Sequence, residues 1–91
     1  MIEKQLEVVN LLGLHARATA RFVRAASRFK SKITVTKDGT TIDGKSILGL
    51  LFLAASAGSH ITIAASGEDE EEAIESLSTL VAGGLGEKTL G

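Results

Sequence analysis

Apolar and polar residues alternate along several short stretches of the chain, which is the pattern of half-buried β-strands. The first stretch covers residues 2–9, although Lys4 interrupts its apolar side. Residues 33–36 alternate next, and Asp38-Gly39 then supplies the two positive-φ positions that a tight hairpin turn needs. Strands two and three therefore pair antiparallel across that turn. Residues 60–66 alternate again and predict strand four.

Three further stretches follow a helical period. Residues 16–29 place four arginines on one narrow stripe and mainly apolar residues opposite, which predicts an amphipathic helix. Ser46 is a suitable N-cap for a short apolar helix that ends near Leu53. The acidic run of residues 66–72 opens a third helix, because the helix dipole favours negative charge at that end. The arginine stripe is Arg17, Arg21, Arg24 and Arg28, and the buried stripe of the third helix is Ile74, Leu77 and Val81.

The resulting order β-α-β-β-α-β-α contains no internal repeat and no low-complexity linker. It predicts an α+β fold, an open-faced β-sandwich in which a four-stranded antiparallel sheet (βαββαβα) carries three helices on one face. A chain of 91 residues is too short to support two cores. We therefore expect residues 1–91 to form a single domain, with the last few residues as a flexible tail.

The amino-acid composition excludes several kinds of functional site. The chain has no cysteine, which excludes disulfides, thiolate catalysis and thiolate metal sites. His15 and His60 lie far apart without a local cluster of ligands, so we expect no metal and no cofactor, and a structural role for His60. Residues 1–9 lack the features of a secretory signal, and the longest apolar run, residues 47–57, is about half of what a membrane span needs. We expect a cytoplasmic protein without membrane insertion.

The net charge of -1 hides a strong asymmetry. Residues 1–45 hold nine Lys/Arg against four Asp/Glu, whereas residues 46–91 hold one against seven. A nucleic-acid binder would be basic overall and would carry aromatic residues for stacking, but the chain has neither Trp nor Tyr. The pattern favours a local basic surface that faces an acidic protein or a phosphate, and no nucleic acid.

His15 lies between a glycine-containing turn and the first turn of the arginine-striped helix. A helix N-terminus presents unpaired N–H groups and a partial positive charge, which together bind phosphate. The amides of Ala16 and Arg17 are available there, the Arg17 guanidinium matches phosphate oxygens, and Gly13 allows close approach of the backbone. Neutral imidazole is a competent nucleophile near pH 7, and a phosphoramidate can pass its phosphoryl group onward. These features fit a phosphoryl acceptor at His15, whereas the alternative for a lone histidine is an ordinary exposed loop residue, with Arg17 as part of a solvated face.

Two separate motifs resemble the HPr family, the histidine phosphocarriers of the bacterial phosphoenolpyruvate-dependent phosphotransferase system. They are Gly13-Leu14-His15-Ala16-Arg17 followed by Ala20-Arg21-Phe22-Val23, and Asp43-Gly44-Lys45-Ser46-Ile47. The resemblance spans nearly the whole chain. It implies a stoichiometric carrier rather than an enzyme, in which His15 accepts a phosphoryl group on Nδ1 from enzyme I and donates it to an EIIA domain, with Arg17 steadying the phosphate.

One residue departs from the family pattern. Most members have proline directly after the arginine, where this chain has Ala18. Because alanine is a good helix former, we predict that the helix start survives and that the site stays active. Members without that proline look more like the nitrogen-related branch of the system. The alternative function is therefore a regulatory module that acts mainly by phosphorylation-dependent protein binding.

The short helix of residues 47–53 is apolar on more than one face, and a small domain cannot bury both. An exposed apolar stripe usually marks a partner site, although all of these residues could instead belong to the core. By resemblance, Ile47, Leu48 and Leu51 are the side chains that contact a partner. Basic side chains would rim this stripe and steer an acidic partner to it. The predicted rim residues are Arg17, Arg21, Arg24 and Lys45.

Ser46 carries two interpretations. Its role as N-cap accounts for it on physical grounds alone. In some HPr branches, however, the matching serine is a regulatory site for HPr kinase/phosphorylase. A phosphate on Ser46 would add about two negative charges beside the surface meant for an acidic partner, and would repel enzyme I.

We expect the protein to be a monomer.

Overall fold

The chain folds in the predicted order of elements. The computed structural model describes residues 1–90, and Gly91 lies outside the described residues. The elements are β1 (Ile2–Glu7), α1 (Ala16–Ala26), β2 (Lys32–Lys37), β3 (Thr40–Asp43), α2 (Ile47–Leu53), β4 (His60–Ser66) and α3 (Glu70–Ala82). A short 3₁₀ turn, Gly84–Gly86, follows α3.

The four strands form one antiparallel sheet in the order β1-β4-β2-β3. In the register of β2 with β4, Ile33 pairs with Ala65 and Val35 pairs with Ile63, and all four side chains are buried. Alternate positions such as Thr34 and Thr62 are half-buried, as the period of two predicts. Helix α3 packs on β1 and β4, and α1 packs against both α2 and α3. The predicted α+β open-faced sandwich is confirmed.

The turn between β2 and β3 has the backbone angles that its sequence predicts. Asp38 and Gly39 have φ values of 50° and 81°, as the hairpin between β2 and β3 requires. The start of α1 at Ala16 is confirmed as well, with Ala18 buried in its first turn. Alanine in place of proline therefore leaves the helix start in place.

Two predicted boundaries are too long. Helix α1 ends at Ala26 instead of Phe29, because the Phe29 N–H donates to Ala26 O in the tighter pattern of a 3₁₀ turn. The Phe29 carbonyl then accepts from Lys45 Nζ at 2.7 Å. Strand β1 ends at Glu7 instead of residue 9, since Val8 pairs with the loop before β4. The end of β1 is thus set by contacts that are distant in sequence, whereas α1 ends in a local turn that Lys45 contacts from sixteen residues away.

No helix in the part of the chain that the structure describes is long and apolar enough to cross a membrane. Within residues 1–90, no group of three or more His, Cys, Asp or Glu side chains is placed to hold a metal ion.

The start of α3 is tied to the start of β2 by one carboxylate. Asp69 accepts hydrogen bonds from Ser31 Oγ (2.6 Å), from the Ser31 N–H (3.0 Å) and from the Lys30 N–H (2.9 Å). The Ser31 hydroxyl is the largest cause that lowers the pKa of Asp69 from 3.8 to about 2. The sequence predicted only a favourable helix dipole for this acidic run. Asp69 instead joins two distant segments.

Asp69 is expected to make stability depend on pH in acid. Its folded pKa of about 2 lies below the ordinary 3.8, so its contribution is complete above pH 3.8 and is lost as the pH falls through about 2. Asp69→Asn should unfold at lower urea concentration than wild type near pH 6 and should lose much of the stability change across the acid range. Urea titrations at several pH values measure both effects.

The matched control is Glu68→Gln, which removes the same charge from an exposed neighbour. It should keep the wild-type dependence on pH. An Asp69→Asn curve that is parallel to wild type throughout the acid range would contradict the proposed role of Asp69.

Candidate functional site

His15 is the N-cap residue of α1. Its backbone is extended (φ −78°, ψ 179°), and its carbonyl accepts from the Thr19 N–H at 2.9 Å. The Arg17 N–H donates to His15 Nδ1 at 3.2 Å, so the imidazole itself caps the helix. The side chain is 29% exposed. The ring therefore lies at the helix N-terminus, as the sequence predicted, and can be reached from outside.

The turn before His15 is held by buried polar contacts. Gly13 O accepts from the His15 N–H (2.9 Å) and from Asn10 Nδ2 (2.7 Å). The Leu14 N–H donates to Ala55 O at 2.9 Å, which joins this turn to the segment after α2. Gly13 has a φ of 65°, and a Cβ there would lie 2.5 Å from Ala55 O. We predicted that Gly13 leaves room for phosphate, but the group that approaches it closely is the Ala55 backbone.

A carboxylate from the end of the chain contacts the other ring nitrogen. Glu87 Oε1 and Oε2 lie 2.8 and 2.7 Å from His15 Nε2. Oε1 also accepts from Asn10 Nδ2 at 3.0 Å, and Arg21 Nη1 lies 3.9 Å from Oε2. The hydrogen bond with His15 is the first cause, and that with Asn10 the second, that lowers the pKa of Glu87 below its ordinary value. Glu87 is thus an ionised partner of the imidazole near neutral pH.

The segment that carries Glu87 forms backbone hydrogen bonds with the turn before His15, and the flexible tail stays a prediction. The Leu11 N–H donates to Lys88 O (2.9 Å), and the Leu90 N–H donates to Val9 O (2.8 Å). Leu85 is fully buried, and its carbonyl accepts from Arg21 Nη1 at 2.8 Å. Residues 87–90 are therefore held against the turn before His15, whereas Gly91 lies outside the described residues.

The four basic residues predicted to form the rim differ in their surroundings. Arg21 and Lys45 are tied to the carbonyls of Leu85 and Phe29. The side chains of Arg17 and Arg24 are exposed and form no hydrogen bond or ion pair with residues 1–90. Arg17, Arg21 and Glu87 also line an open cavity of about 420 Å³. The structure thus leaves Arg17 and Arg24 available to a partner or a phosphate.

Helix α2 buries one stripe and exposes the other. Leu50 and Leu53 lie in the core, while Ile47, Leu48 and Leu51 are 44, 80 and 37% exposed. The interpretation that all of them are core residues is wrong. Phe52, which was not among the predicted partner-binding residues, is 76% exposed. It follows Leu48 by four positions and so lies on the same side of the helix, a spacing that the sequence already contains. We call Ile47, Leu48, Leu51 and Phe52 the docking patch.

Ser46 caps α2 as predicted. Its backbone is extended, and Oγ accepts from the Gly49 N–H at 3.0 Å. Regulatory phosphorylation of Ser46 stays a prediction.

A family model described as "PTS HPr component phosphorylation site" matches residues 2–83 of the chain. The chain belongs to the HPr family. It is 46% identical over 87 residues to the phosphocarrier protein HPr of Neisseria meningitidis serogroup A. The matched region covers 96% of this chain and 98% of that relative. It is also 46% identical over 81 residues to the HPr-like protein Crh of Bacillus subtilis. This matched region covers 89% of this chain and 95% of that relative.

A crystal structure of HPr from Thermoanaerobacter tengcongensis has the same fold. The TM-score is 0.93 at 44% identity, with 97% of this chain and 99% of that chain covered. HPr proteins are phosphocarriers of the phosphotransferase system rather than catalysts, and this chain is one of them by family.

The structure brings together most of the predicted site and adds one residue to it. His15, Gly13 and the amides of Ala16 and Arg17 meet at the start of α1. Glu87 was missed, because a single carboxylate 72 residues after His15 has neither a motif nor a period. The only signal in the sequence was that the charge of Glu87 stands apart from the acidic run at the start of α3.

Proposed function

We propose that this HPr-family chain accepts a phosphoryl group on His15 Nδ1 from phospho-enzyme I and donates it to an EIIA domain. One observation carries the proposal: Nδ1 accepts the Arg17 N–H at 3.2 Å and so holds a lone pair at the N-terminus of α1. That lone pair is the nucleophile. The ring is exposed enough for a donor to approach it.

The start of α1 favours the product. A phosphoryl group on Nδ1 would lie beside the amides of the first helical turn, where the helix dipole favours a dianion and where the Arg17 N–H, released from Nδ1, can donate to a phosphate oxygen. The Arg17 side chain is free to pair with its oxygens. Phosphoryl transfer depends mainly on positioning and on stabilisation of charge, so these groups suffice on the carrier's side. The partner supplies the rest.

The docking patch supports a protein partner. Its four apolar side chains lie on a helix that packs beside α1, the helix that carries His15 at its start. Arg17 and Arg24 add positive charge nearby, which favours an acidic partner and a fast, salt-dependent encounter. Enzyme I and EIIA domains would use this same surface in turn, in the cytoplasm and with the carrier as a monomer.

Leu48→Asp is expected to weaken the complex with enzyme I. Leu48 is 80% exposed, so the change should leave the fold intact, whereas a charge in the centre of an apolar interface loses about 2 kcal/mol, or roughly 30-fold in affinity. Titration calorimetry with enzyme I measures this loss. Thr79→Asp places the same charge on an exposed position of α3 and should bind like wild type. Equal affinities for both variants would contradict the docking patch.

The proposed function is tested with purified components. Incubation with enzyme I and ³²P-labelled phosphoenolpyruvate should produce a phosphoprotein that is labile in acid and stable in base, with the label on the peptide that contains His15. Addition of an EIIA domain should then discharge it. If no label forms with an enzyme I that phosphorylates another HPr, the proposal fails.

The regulatory module stays the alternative. The chain is 46% identical both to an HPr and to the HPr-like protein Crh, so sequence identity supports the two functions equally. The regulatory function requires that partner affinity change with phosphorylation while sugar uptake is independent of the chain. Loss of sugar uptake in a strain that lacks the chain would argue for the carrier.

A further inference from the structure

Both ring nitrogens of His15 have fixed partners. Glu87 Oε1 and Oε2 lie 2.8 and 2.7 Å from Nε2, and an ionised carboxylate can only accept a hydrogen bond. Nε2 therefore carries a proton. The Arg17 N–H donates to Nδ1, so Nδ1 carries none. Two contacts from opposite ends of the chain select the same neutral tautomer.

We infer that Glu87 is a positioning residue that holds His15 in the Nε2–H tautomer and thereby makes Nδ1 the nucleophilic nitrogen. This inference rests on the proposed function of His15 and adds to it a residue outside both sequence motifs. Glu87 touches the imidazole but not the incoming phosphoryl group. Its effect reaches Nδ1 through the ring.

The carboxylate is held firmly in place. The Glu87 side chain is only 13% exposed, and Asn10, itself buried, donates to it at 3.0 Å. Asn10 Nδ2 also donates to Gly13 O, so the same amide fixes the Glu87 carboxylate and the turn before His15. Arg21 faces Glu87 from α1 at 3.9 Å, and the lowered pKa of Glu87 keeps it ionised near neutral pH. A loose terminal carboxylate would have none of these partners.

The transfer step needs no proton movement in this arrangement. The Arg17 N–H releases the Nδ1 lone pair, which forms the bond to phosphorus, while the bond from phosphorus to the donor's leaving atom breaks and its electron pair departs with the donor. The ring becomes cationic and keeps its proton on Nε2, where the Glu87 carboxylate balances the new charge. On donation, the Nδ1–P bond breaks and its electron pair returns to Nδ1. Neutral imidazole is regenerated, which is a better leaving group than an imidazolate anion.

Imidazole ¹⁵N NMR tests the tautomer without any partner protein. Wild type at alkaline pH should show Nε2 as the protonated nitrogen and Nδ1 as the lone-pair nitrogen. Glu87→Ala keeps only the Arg17 N–H on Nδ1 and should show a measurable population of the Nδ1–H tautomer that wild type lacks. Glu87→Gln retains an acceptor oxygen and should keep the wild-type tautomer. Glu75→Gln, an exposed carboxylate on α3, is the charge-matched control and should match wild type.

Kinetics with phospho-enzyme I test the consequence. Loss of a hydrogen bond to a charged group typically lowers the rate of a step that depends on it about tenfold. Glu87→Ala should therefore lower kcat for phosphoryl uptake roughly tenfold, while KM for enzyme I stays within about twofold of wild type. Glu87→Gln should fall between Glu87→Ala and wild type, because it keeps the tautomer but lacks the charge. Melting curves and the amide signals of residues 9–11 report whether the terminal segment stays in place.

The outcomes separate this inference from the proposed function. If wild type takes up no label, the carrier proposal fails, and the NMR experiment still decides the tautomer. If wild type is labelled but Glu87→Ala has the wild-type tautomer or the wild-type kcat, the positioning role of Glu87 is overturned and the carrier proposal stands. A rise in KM alone, with kcat unchanged, would also overturn it, since that result assigns Glu87 to docking.

Discussion

Phosphoryl uptake from enzyme I is expected to fall to background when His15 is replaced with asparagine. The substitution removes the only nucleophile at the start of α1. It leaves the helix cap in place, because an asparagine oxygen can accept the Arg17 N–H that His15 Nδ1 accepts now. The free energy of unfolding should therefore change by less than about 1 kcal/mol. The measurements are incorporation of ³²P from phosphoenolpyruvate and urea unfolding of the same samples.

His60→Asn is the matched control. His60 is the other histidine of the chain, exposed at the first position of β4 and paired in register with Glu7. Its replacement should leave uptake at the wild-type rate. Label on His15→Asn at the wild-type level, or loss of label from His60→Asn, would assign the phosphoryl group to a different residue.

Local patterns predicted most of this fold because local geometry determines it. The alternation around Ile33 and Val35 requires one buried face, and Asp38-Gly39 supplies positive φ values that few other residues accept. Helix α2 is the same kind of case. Its two apolar stripes exceed what a small core can cover, so one of them had to remain exposed, as Leu48 does.

What the sequence did not predict depends on contacts between distant segments. Lys45 Nζ donates to Phe29 O, just beyond the end of α1 and sixteen residues away in sequence. Glu87 reaches His15 only because buried Leu85 turns the chain back after α3, with a φ of 56° that is rare for leucine. Periodicity carries no information about such contacts, since each involves one side chain and one distant partner.

Three parts of the chain thus position His15. The Arg17 amide in the first turn of α1 donates to Nδ1, Glu87 from the terminal segment accepts the hydrogen bond of Nε2–H, and Gly13 O accepts the backbone N–H of His15. The turn at Gly13 also packs against the segment after α2, the helix that carries the docking patch. A change at Gly13 should therefore disturb the ring without touching it.

Gly13→Ala is expected to lower both stability and phosphoryl uptake. The new Cβ would lie 2.5 Å from Ala55 O and 3.0 Å from Ser56 Cα, which are backbone atoms that cannot rotate away. The turn must shift, and Gly13 O then loses its position against the His15 N–H. Together with the strained φ of 65°, we expect a loss of about 3 kcal/mol in the free energy of unfolding. Uptake should fall by more than about tenfold, as misplaced reacting groups do.

Gly39→Ala separates backbone strain from the clash. Gly39 also has a positive φ, 81°, but nothing lies within 4 Å of a Cβ built there. It should lose only about 1 kcal/mol of stability and none of its phosphoryl uptake. Equal losses in the two variants would mean that the close approach to Ala55 contributes nothing. A larger loss confined to Gly13→Ala, in uptake as well as in stability, would place the origin of the effect in the contact that seats His15 at the start of α1.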